Sequence, residues 1–179
     1  MNEDSDGILV QRCRAGDRRA FEALVGRYEK PVFNAALRML RNPEDARDVA
    51  QTVFLKAFEH LADYDPKYRF YSWIYRIALN ESINILNGRK RLEPISGDEV
   101  DDRRGAADDL ESEQVSRSVQ GALMMIKAEY RAVIVLKHFL ELSYVDIGEI
   151  LQLPEKTVKS RLFAARQLLK DALQHRGII

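Results

Sequence analysis

The amino-acid sequence predicts an all-α protein made of two small helical domains joined by a flexible acidic linker. Apolar residues recur at helical spacing over most of residues 1–91 and again over 114–179, which is typical of helices with one buried face. The intervening residues 92–113 contain Pro94 and two glycines among many acidic side chains, so they cannot bury enough surface to order themselves. With 179 residues in total, each helical part is large enough for one small core.

The composition excludes several classes of protein. Because Cys13 is the one cysteine, no internal disulfide can form, which excludes a disulfide-stapled secreted domain. Residues 1–6 are acidic where a signal peptide would be basic. The longest apolar runs have five residues, against the ~18 that a membrane span needs. We therefore expect a cytoplasmic protein without membrane insertion.

The charge is unevenly distributed along a chain whose formal net charge is zero. Residues 96–115 carry a net charge of −6, whereas residues 1–95 carry +2 and residues 116–179 carry +4. Six basic residues lie within 155–176. Clustered positive charge on one helix indicates a surface for phosphate groups, but a solvated helix face is the commoner meaning of a charge run. On charge alone both interpretations stay open.

The first two helices are predicted from apolar spacing and from breakers. A short helix is expected over residues 5–14, ended by Gly16. A second apolar stripe extends over residues 21–40. Pro31 lies inside this stripe, and we expect it to kink or restart the helix.

The third helix is predicted from its start signal. Asn42 is a favoured N-cap, Pro43 suits the first helical position, and the two acidic residues that follow lie at the positive end of the helix dipole. The expected buried face comprises Ala46, Val49, Ala50, Val53, Phe54, Ala57, Phe58 and Leu61.

A fourth helix is expected after a polar connector at residues 62–69. It should run from about Phe70 to Asn87 and end at Gly88. Trp73, Ile74 and Ile77 share helical spacing, so we expect them in the core.

Aromatic and basic side chains are interleaved in the connector. Lys67, Tyr68 and Arg69 lie outside the apolar stripe and are candidates for contact with nucleic acid. Aromatic faces combined with cations suit unpaired bases, since each stacked base contributes ~1–3 kcal/mol.

The end of the chain predicts a helix-turn-helix arrangement. Ser143 is a candidate cap for a short helix over residues 144–151, and residues 152–154 form a turn before a longer helix. The buried stripe of the longer helix is expected to be Val158, Leu162, Ala165, Leu169 and Leu173. Its opposite face is polar and basic, as in a recognition helix that enters the major groove.

Each side chain on that outer face can make a specific kind of contact with DNA. Lys159 and Arg166 can reach guanine or phosphate. Ser160 can hydrogen-bond to either kind of base pair, and Phe163 offers an apolar contact to a thymine methyl group. Phe163 lies off the buried stripe, so we expect it to be exposed rather than packed in the core.

Three spaced motifs follow one another along nearly the whole chain. They read Asp48-x-x-Gln51-x-x-Phe54, then Phe70-x-x-Trp73-Ile74-x-x-Ile77-Ala78-x-Asn80, then Tyr144-x-Asp146-Ile147 with Thr157-Val158-Lys159-Ser160-Arg161. Together they resemble the extracytoplasmic-function group of bacterial sigma factors of the sigma-70 class. The resemblance implies a promoter-recognition subunit that binds the RNA polymerase core and promoter DNA and has no active site of its own.

The resemblance also implies roles for individual residues. The helix around Asp48, Gln51 and Thr52 would dock on the clamp helices of the polymerase core. The residues that would capture flipped bases of the single-stranded minus-10 element are Tyr64, Lys67, Tyr68, Arg69, Asn80 and Asn84. The residues that would read the duplex minus-35 element are Lys156, Thr157, Lys159, Ser160, Arg161, Phe163 and Arg166. An anti-sigma factor as partner and a role in a stress or envelope response are implied as well.

Chain length and charge are consistent with two separated DNA sites. Two elements two helical turns apart lie ~70 Å from each other on the duplex. Residues 92–113 can span at most ~75 Å when extended. The acidic excess of this segment would be repelled by DNA and attracted to a basic channel, which fits the implied threading into polymerase.

Nothing in the sequence indicates an enzyme, a metal, a cofactor or a small-molecule substrate. His60, His138 and His175 do not lie at metal-ligand spacing, and Cys13 is expected to be a small buried hydrophobe. Phosphate-cradling glycine loops and nucleophile elbows are absent from the sequence. Two other functions stay open: a helix-turn-helix regulator with a helical sensor domain that does not associate with polymerase, and an interaction protein that does not read DNA.

Overall fold

The computed structural model describes residues 5–92 and 110–178, and both parts are helical as predicted. The first part contains α1 (Asp6–Arg14), α2 (Arg18–Leu40), α3 (Pro43–Glu59), a 3₁₀ turn (Leu61–Asp63) and α4 (Phe70–Leu92). The second contains α5 (Leu110–Met125), α6 (Ala128–Ile134) with a π-helical extension (Val135–Phe139), α7 (Tyr144–Leu151) and α8 (Glu155–His175). No strand occurs within these two ranges.

The helix N-caps predicted from the sequence are formed in the structure. The Asn42 side chain accepts hydrogen bonds from the amides of Glu44 and Asp45, at 2.8 and 3.1 Å. Ser143 and Asp146 form a capping box, in which the Ser143 hydroxyl accepts from the Asp146 amide at 3.1 Å. These bonds satisfy amides that the first helical turn leaves without a partner, which fixes where α3 and α7 begin.

Two helix breakers act more weakly than predicted. Helix α2 passes through Pro31 without restarting, and Val32 beside the proline is fully buried. Helix α4 does not end at Gly88 but continues to Leu92. A helical glycine costs only about 1 kcal/mol, and the ion pair between Arg89 and Asp45 holds the following turn against α3.

The prediction that Phe58 belongs to the core is wrong. The residue is 59% exposed, because the buried face of α3 runs through Val53 and Ala57 and the next position points away from it. The Phe58 ring contacts Phe21 edge-to-face, with 5.2 Å between the ring centroids.

The ends of the predicted linker are helical. Leu92 belongs to α4, and residues 110–113 belong to the first turn of α5. The rest of the predicted linker lies outside the described residues.

The first domain is built around α2, which packs on α1, α3 and α4. Its largest fully buried side chains are Leu24, Val32, Met39, Val49, Val53, Phe70 and Ile74. Helix α1 is tied to α2 by Asp6, whose carboxylate accepts hydrogen bonds from Arg27 at 2.5 Å and from Tyr28. Burial and the neighbouring Asp6 raise the pKa of Tyr28, which keeps its hydroxyl a donor.

The second domain packs α5, α6 and α7 around α8. Its fully buried side chains include Leu123, Leu136, Ile147, Ile150, Val158 and Leu162. The apolar cores of the two domains are continuous, since α2 contacts α5, α6 and the π-helical extension.

Arg131 is the central polar group between the two domains. Its residue exposure is only 4%, and its guanidinium donates to the carbonyls of Leu123 (2.8 Å), Met124 (3.1 Å), Ile126 (3.1 Å) and Met39. The Met39 and Leu123 carbonyls lie in the last turns of α2 and α5, where intrahelical partners are lacking. Burial lowers the pKa of Arg131 to about 10, so the group stays charged at neutral pH.

A second pair of residues joins the domains beside Arg131. Arg38 donates to the Gln120 side chain at 3.1 Å, and Gln120 donates back to the Arg38 carbonyl at 2.9 Å. The Arg38 guanidinium also lies 4.4 Å from the centroid of the Phe139 ring. Together with Arg131, this pair orients the second domain on the C-terminal end of α2.

None of the helices within residues 5–92 and 110–178 qualifies as a candidate membrane span.

We predict that Arg131→Met lowers the free energy of unfolding by about 2–4 kcal/mol, because carbonyls of α2, α5 and the loop after α5 lose a charged donor inside the protein. Urea unfolding followed by circular dichroism measures this change. Lys170→Met, at an exposed position of α8, is the matched control and should change stability by less than about 0.5 kcal/mol. Equal stability of the two variants would contradict the role given to Arg131.

Candidate nucleic-acid and polymerase interfaces

The helix-turn-helix depends on a close approach between α7 and the turn that follows it. Gln152 adopts a left-handed conformation with φ of 54° and ends α7. A Cβ atom on Gly148 would lie 2.7 Å from the Leu153 carbonyl oxygen, so glycine is needed there. This requirement could have been noticed in the sequence only by knowing where the turn folds back.

The outer face of α8 is exposed as predicted. Val158, Leu162 and Ala165 are buried against the domain, whereas Phe163 is 66% exposed. Lys156, Lys159, Ser160 and Arg166 are also exposed, and Thr157 and Arg161 are half-buried at the edges of the face. The N-terminal half of α8 therefore presents basic, hydroxyl and aromatic groups side by side.

Several of these side chains have partners on the protein surface. Lys159 forms an ion pair with Glu155 at 2.6 Å, and this hydrogen bond raises the pKa of Lys159. The Ser160 hydroxyl donates to the Thr157 carbonyl at 3.0 Å. Exposed pairs of this kind contribute little to stability, so phosphate or a base edge can replace them.

Arg166 is oriented by a histidine of the π-helical extension. Its Nε donates to His138 Nε2 at 3.3 Å. Burial, then the charges of Arg166 and Lys137, lower the pKa of His138, so the ring is a neutral acceptor at pH 7. No sequence spacing links these two residues.

The connector before α4 is held in place from α1. The Arg14 guanidinium donates to the carbonyls of Leu61 (3.0 Å), Ala62 (3.2 Å) and Tyr64 (2.5 Å). Tyr64 donates in turn to the Tyr68 carbonyl at 2.5 Å. These hydrogen bonds supply donors to carbonyl groups that the 3₁₀ turn leaves without a partner. They thereby hold the connector in one conformation.

Tyr64, for which the resemblance implies contact with the strand, does not lie at the surface. The residue is 7% exposed, and its ring packs against Phe70 and Trp73 with centroid distances of 5.7 and 5.3 Å. Burial raises the pKa of Tyr64. It supports the connector from beneath instead of facing solvent.

The other expected strand-binding residues are accessible. Tyr68 is 45% exposed, and Lys67, Arg69, Asn80 and Asn84 are exposed as well. Arg69 donates to the Tyr71 hydroxyl at 3.0 Å, which raises the pKa of Arg69. Asn80 and Asn84 are one turn apart on one face of α4.

The outward face of α3 carries the residues expected to meet polymerase. Asp48 and Gln51 are exposed and Thr52 is half-buried. Leu55 and Phe58, further along the same helix, are each 59% exposed. The sequence analysis did not single out Leu55, and it assigned Phe58 to the core. Exposed apolar residues beside a polar face indicate an interaction surface, but their exposure is seen only in the structure.

Within the described ranges, no group of three His, Cys, Asp or Glu side chains is arranged to hold a metal ion. His60 contacts Asp63 at 3.2 Å on the surface. Cys13 is half-buried rather than fully buried, and desolvation raises the pKa of its thiol.

Two family models match this chain, and they cover its two helical parts. Residues 24–92 match the model described as Sigma-70 region 2, and residues 116–169 match Sigma-70 region 4.

Curated relatives align over almost the full length. The chain is 33% identical over 186 residues to the RNA polymerase sigma-H factor of Pseudomonas aeruginosa, covering 97% of this chain and 96% of the relative. It is also 33% identical over 177 residues to the ECF RNA polymerase sigma factor SigW of Bacillus subtilis, covering 92% and 95%.

Solved structures share the fold across both domains. CnrH in complex with the cytosolic domain of CnrY has a TM-score of 0.75 at 27% identity, covering 96% of this chain and 99% of that one. The sigma factor RpoE in complex with the anti-sigma factor NepR from Bartonella quintana has a TM-score of 0.67 at 22% identity, covering 86% and 96%. The chain thus belongs to the extracytoplasmic-function sigma factors of the sigma-70 family, the RNA polymerase subunits of promoter-specific transcription.

Proposed function

We propose that this sigma factor binds the polymerase core through α3 and directs initiation at promoters whose two elements are contacted by separate domains. The observation that carries this proposal is that one chain has two chemically different exposed surfaces. The face of α8 suits duplex DNA, and the connector with α4 suits an unpaired strand. We assign polymerase binding and minus-10 capture to residues 1–91, and minus-35 recognition to 114–179, joined by 92–113.

The minus-35 element is read in the major groove by α8. Lys156, Lys159 and Arg166 supply donors for guanine or phosphate. Ser160 adds a small hydroxyl, and Phe163 supplies an apolar contact for a thymine methyl group. Thr157 and Arg161 lie at the edges of this face, where the DNA backbone passes.

The minus-10 element is captured as unpaired bases by the connector and α4. Tyr68 offers an exposed ring for stacking, with Lys67 and Arg69 next to it for the backbone. Asn80 and Asn84 offer amide groups that can hydrogen-bond to the edge of an extruded base. Tyr64 and Arg14 keep the connector in the shape that this capture needs.

The polymerase core binds the outward face of α3. Asp48, Gln51 and Thr52 provide polar contacts, and Leu55 and Phe58 provide apolar area beside them. A mixed patch of this kind is typical of interfaces that form and dissociate. The chain acts in the cytoplasm with polymerase and contributes no catalytic group.

A protein partner is proposed as the regulator of this chain. The solved structure of RpoE holds an anti-sigma factor, and that of CnrH holds the cytosolic domain of CnrY. An anti-sigma factor that releases the chain under stress of the envelope would couple a signal to transcription.

Transcription of sheared genomic DNA by purified polymerase core, with and without the sigma factor, tests the proposed function. We expect the chain to bind core and to produce new transcript starts that share two upstream elements. DNA binding without core association would support a helix-turn-helix regulator instead. Core association without new starts would support an interaction protein that does not read DNA.

We predict that Lys159→Ala weakens binding to the minus-35 element by about 1–3 kcal/mol and relaxes base choice at one position. Fluorescence anisotropy with the duplex defined by the mapped starts measures both effects. Lys170→Ala, which removes the same charge from an exposed position of α8, should lose less. An equal loss on a randomised duplex would make Lys159 a phosphate contact and refute base recognition.

We predict that Gln51→Ala weakens association with polymerase core by at least about fivefold, as expected of a central interface residue. Biolayer interferometry with immobilised core measures the affinity. The variant should keep the thermal stability of the parent, because Gln51 is exposed. Gln11→Ala, on the exposed side of α1, is the control, and equal core affinity of the two variants would exclude this surface.

A further inference from the structure

His138 lies beside the outer face of α8, although it belongs to the π-helical extension. Arg166 follows Phe163 by three residues and Lys159 by seven, so these three side chains share one helical face. The Arg166 Nε donates to His138 Nε2 at 3.3 Å, and Arg166 Nη2 lies 3.2 Å from the same nitrogen. The imidazole therefore borders the surface that we propose for the minus-35 duplex.

The contact with His138 occupies one edge of the Arg166 guanidinium. Its Nε and Nη2 hydrogens lie along the side of the planar group, and both nitrogens lie within 3.3 Å of His138 Nε2. The Nη1 and Nη2 hydrogens at the far end of the group form a second fork of donors. That end fork matches the O6 and N7 atoms of guanine, or two oxygens of one phosphate. His138 thus holds Arg166 from the side and leaves the end fork available for DNA.

The backbone that carries His138 is held on both sides. Val135 and Leu136, which precede it, are fully buried. The Leu140 amide, which follows it, donates to the Val135 carbonyl at 3.2 Å and closes the π-helical turn. Short π-helical segments are frequent at functional sites. Because the backbone is fixed, the imidazole offers the guanidinium a defined support.

His138 binds Arg166 as a neutral acceptor. Among the described residues, the charged groups that act on its ring are both cations, Arg166 from α8 and Lys137 from the same turn. Burial and these two charges lower the pKa of His138, so the neutral ring carries its proton on Nδ1 and accepts at Nε2. A carboxylate at this position would also hold Arg166, but its negative charge would oppose the attraction of the arginine for DNA. The imidazole orients the guanidinium and leaves its charge intact.

We infer that His138 is a positioning residue for minus-35 recognition, which aims the end fork of Arg166 at a paired acceptor on the duplex. This inference rests on the proposed function, since it concerns the face of α8 assigned to that element. The paired acceptor is either O6 and N7 of one guanine or two oxygens of one backbone phosphate. Without His138, the long arginine side chain loses its rotamer freedom only on binding, and the complex is weaker for that reason.

Binding of labelled duplexes to the full-length chain in complex with polymerase core tests the inference. Fluorescence anisotropy compares a duplex carrying the mapped minus-35 element with a randomised duplex, and the ratio of the two affinities measures discrimination. We expect His138→Ala to lower this ratio about threefold, the effect of one modest hydrogen bond. His175→Ala, at the exposed end of α8, is the matched control and should leave the ratio unchanged. Equal ratios for these two variants would overturn the inference.

His138→Gln and His138→Lys separate positioning from direct contact with DNA. Glutamine retains a neutral acceptor and should restore most of the discrimination, whereas lysine has no acceptor and repels Arg166. We therefore expect His138→Lys to bind the randomised duplex more tightly and to discriminate less than the parent. If His138 itself bound phosphate, the lysine variant would keep the ratio of the parent and the glutamine variant would lose it, and this result would refute the positioning role.

A double-mutant cycle measures whether His138 acts through Arg166. Arg166→Ala should weaken binding of the element about tenfold, because a charged donor is lost. His138→Ala should add no further loss in the Arg166→Ala background, and additive losses would contradict the inference. Both positions are exposed, so thermal unfolding of the variants should match that of the parent.

The same variants distinguish failure of the inference from failure of the proposed function. If Arg166→Ala weakens binding and His138→Ala does not, the positioning role fails while the DNA-binding face of α8 holds. If neither Lys159→Ala nor Arg166→Ala weakens binding, that face itself fails and the inference with it.

Modified duplexes identify the acceptor of Arg166. Deazaguanine lacks the N7 acceptor of guanine, and a methylphosphonate removes the charge of one phosphate. The modification that weakens binding of the parent but not of Arg166→Ala marks the group that the end fork contacts. If every modification weakens both proteins equally, the guanidinium contacts neither acceptor and the inference is refuted.

Discussion

The relative position of the two domains depends on the buried guanidinium of Arg131. Its guanidinium donates hydrogen bonds to carbonyl groups in the last turns of α2 and α5, which belong to different domains. In the same arrangement, α7 contacts α4. Burial of the charge carries a desolvation penalty, which the hydrogen bonds to these carbonyl groups offset. A contact of this kind specifies one geometry for the two domains.

Local signals in the sequence account for much of the fold. The caps at Asn42 and Ser143 fixed the starts of α3 and α7, since a cap acts within a few residues of its own position. The fate of Pro31, Phe58 and Gly88 could not be predicted in the same way. Each outcome depends on tertiary contacts. Buried residues lie beside Pro31, Phe58 lies off the buried face of its helix, and an ion pair follows Gly88.

The candidate surfaces likewise differ in how far local sequence predicts them. The exposed face of α8 follows from helical periodicity alone, so Phe163 could be assigned to it correctly. Tyr64 could not be assigned to a buried or an exposed position from the sequence. A tyrosine in a connector has the same sequence pattern whether it supports the loop or faces a base. Arg14, Arg76 and Arg131 appear in the sequence as ordinary surface charges. Their partners are carbonyl groups distant along the chain. Because every residue has a main-chain carbonyl, the sequence does not indicate which one accepts the hydrogen bond.

The contacts within each domain differ in kind from those between α4 and α7. Within each domain, helices are joined by fully buried apolar side chains that neither DNA nor polymerase can replace. Between α4 and α7, the Ser72 hydroxyl and the Arg76 guanidinium donate to Glu149, whereas α2 joins the second domain through the continuous apolar core.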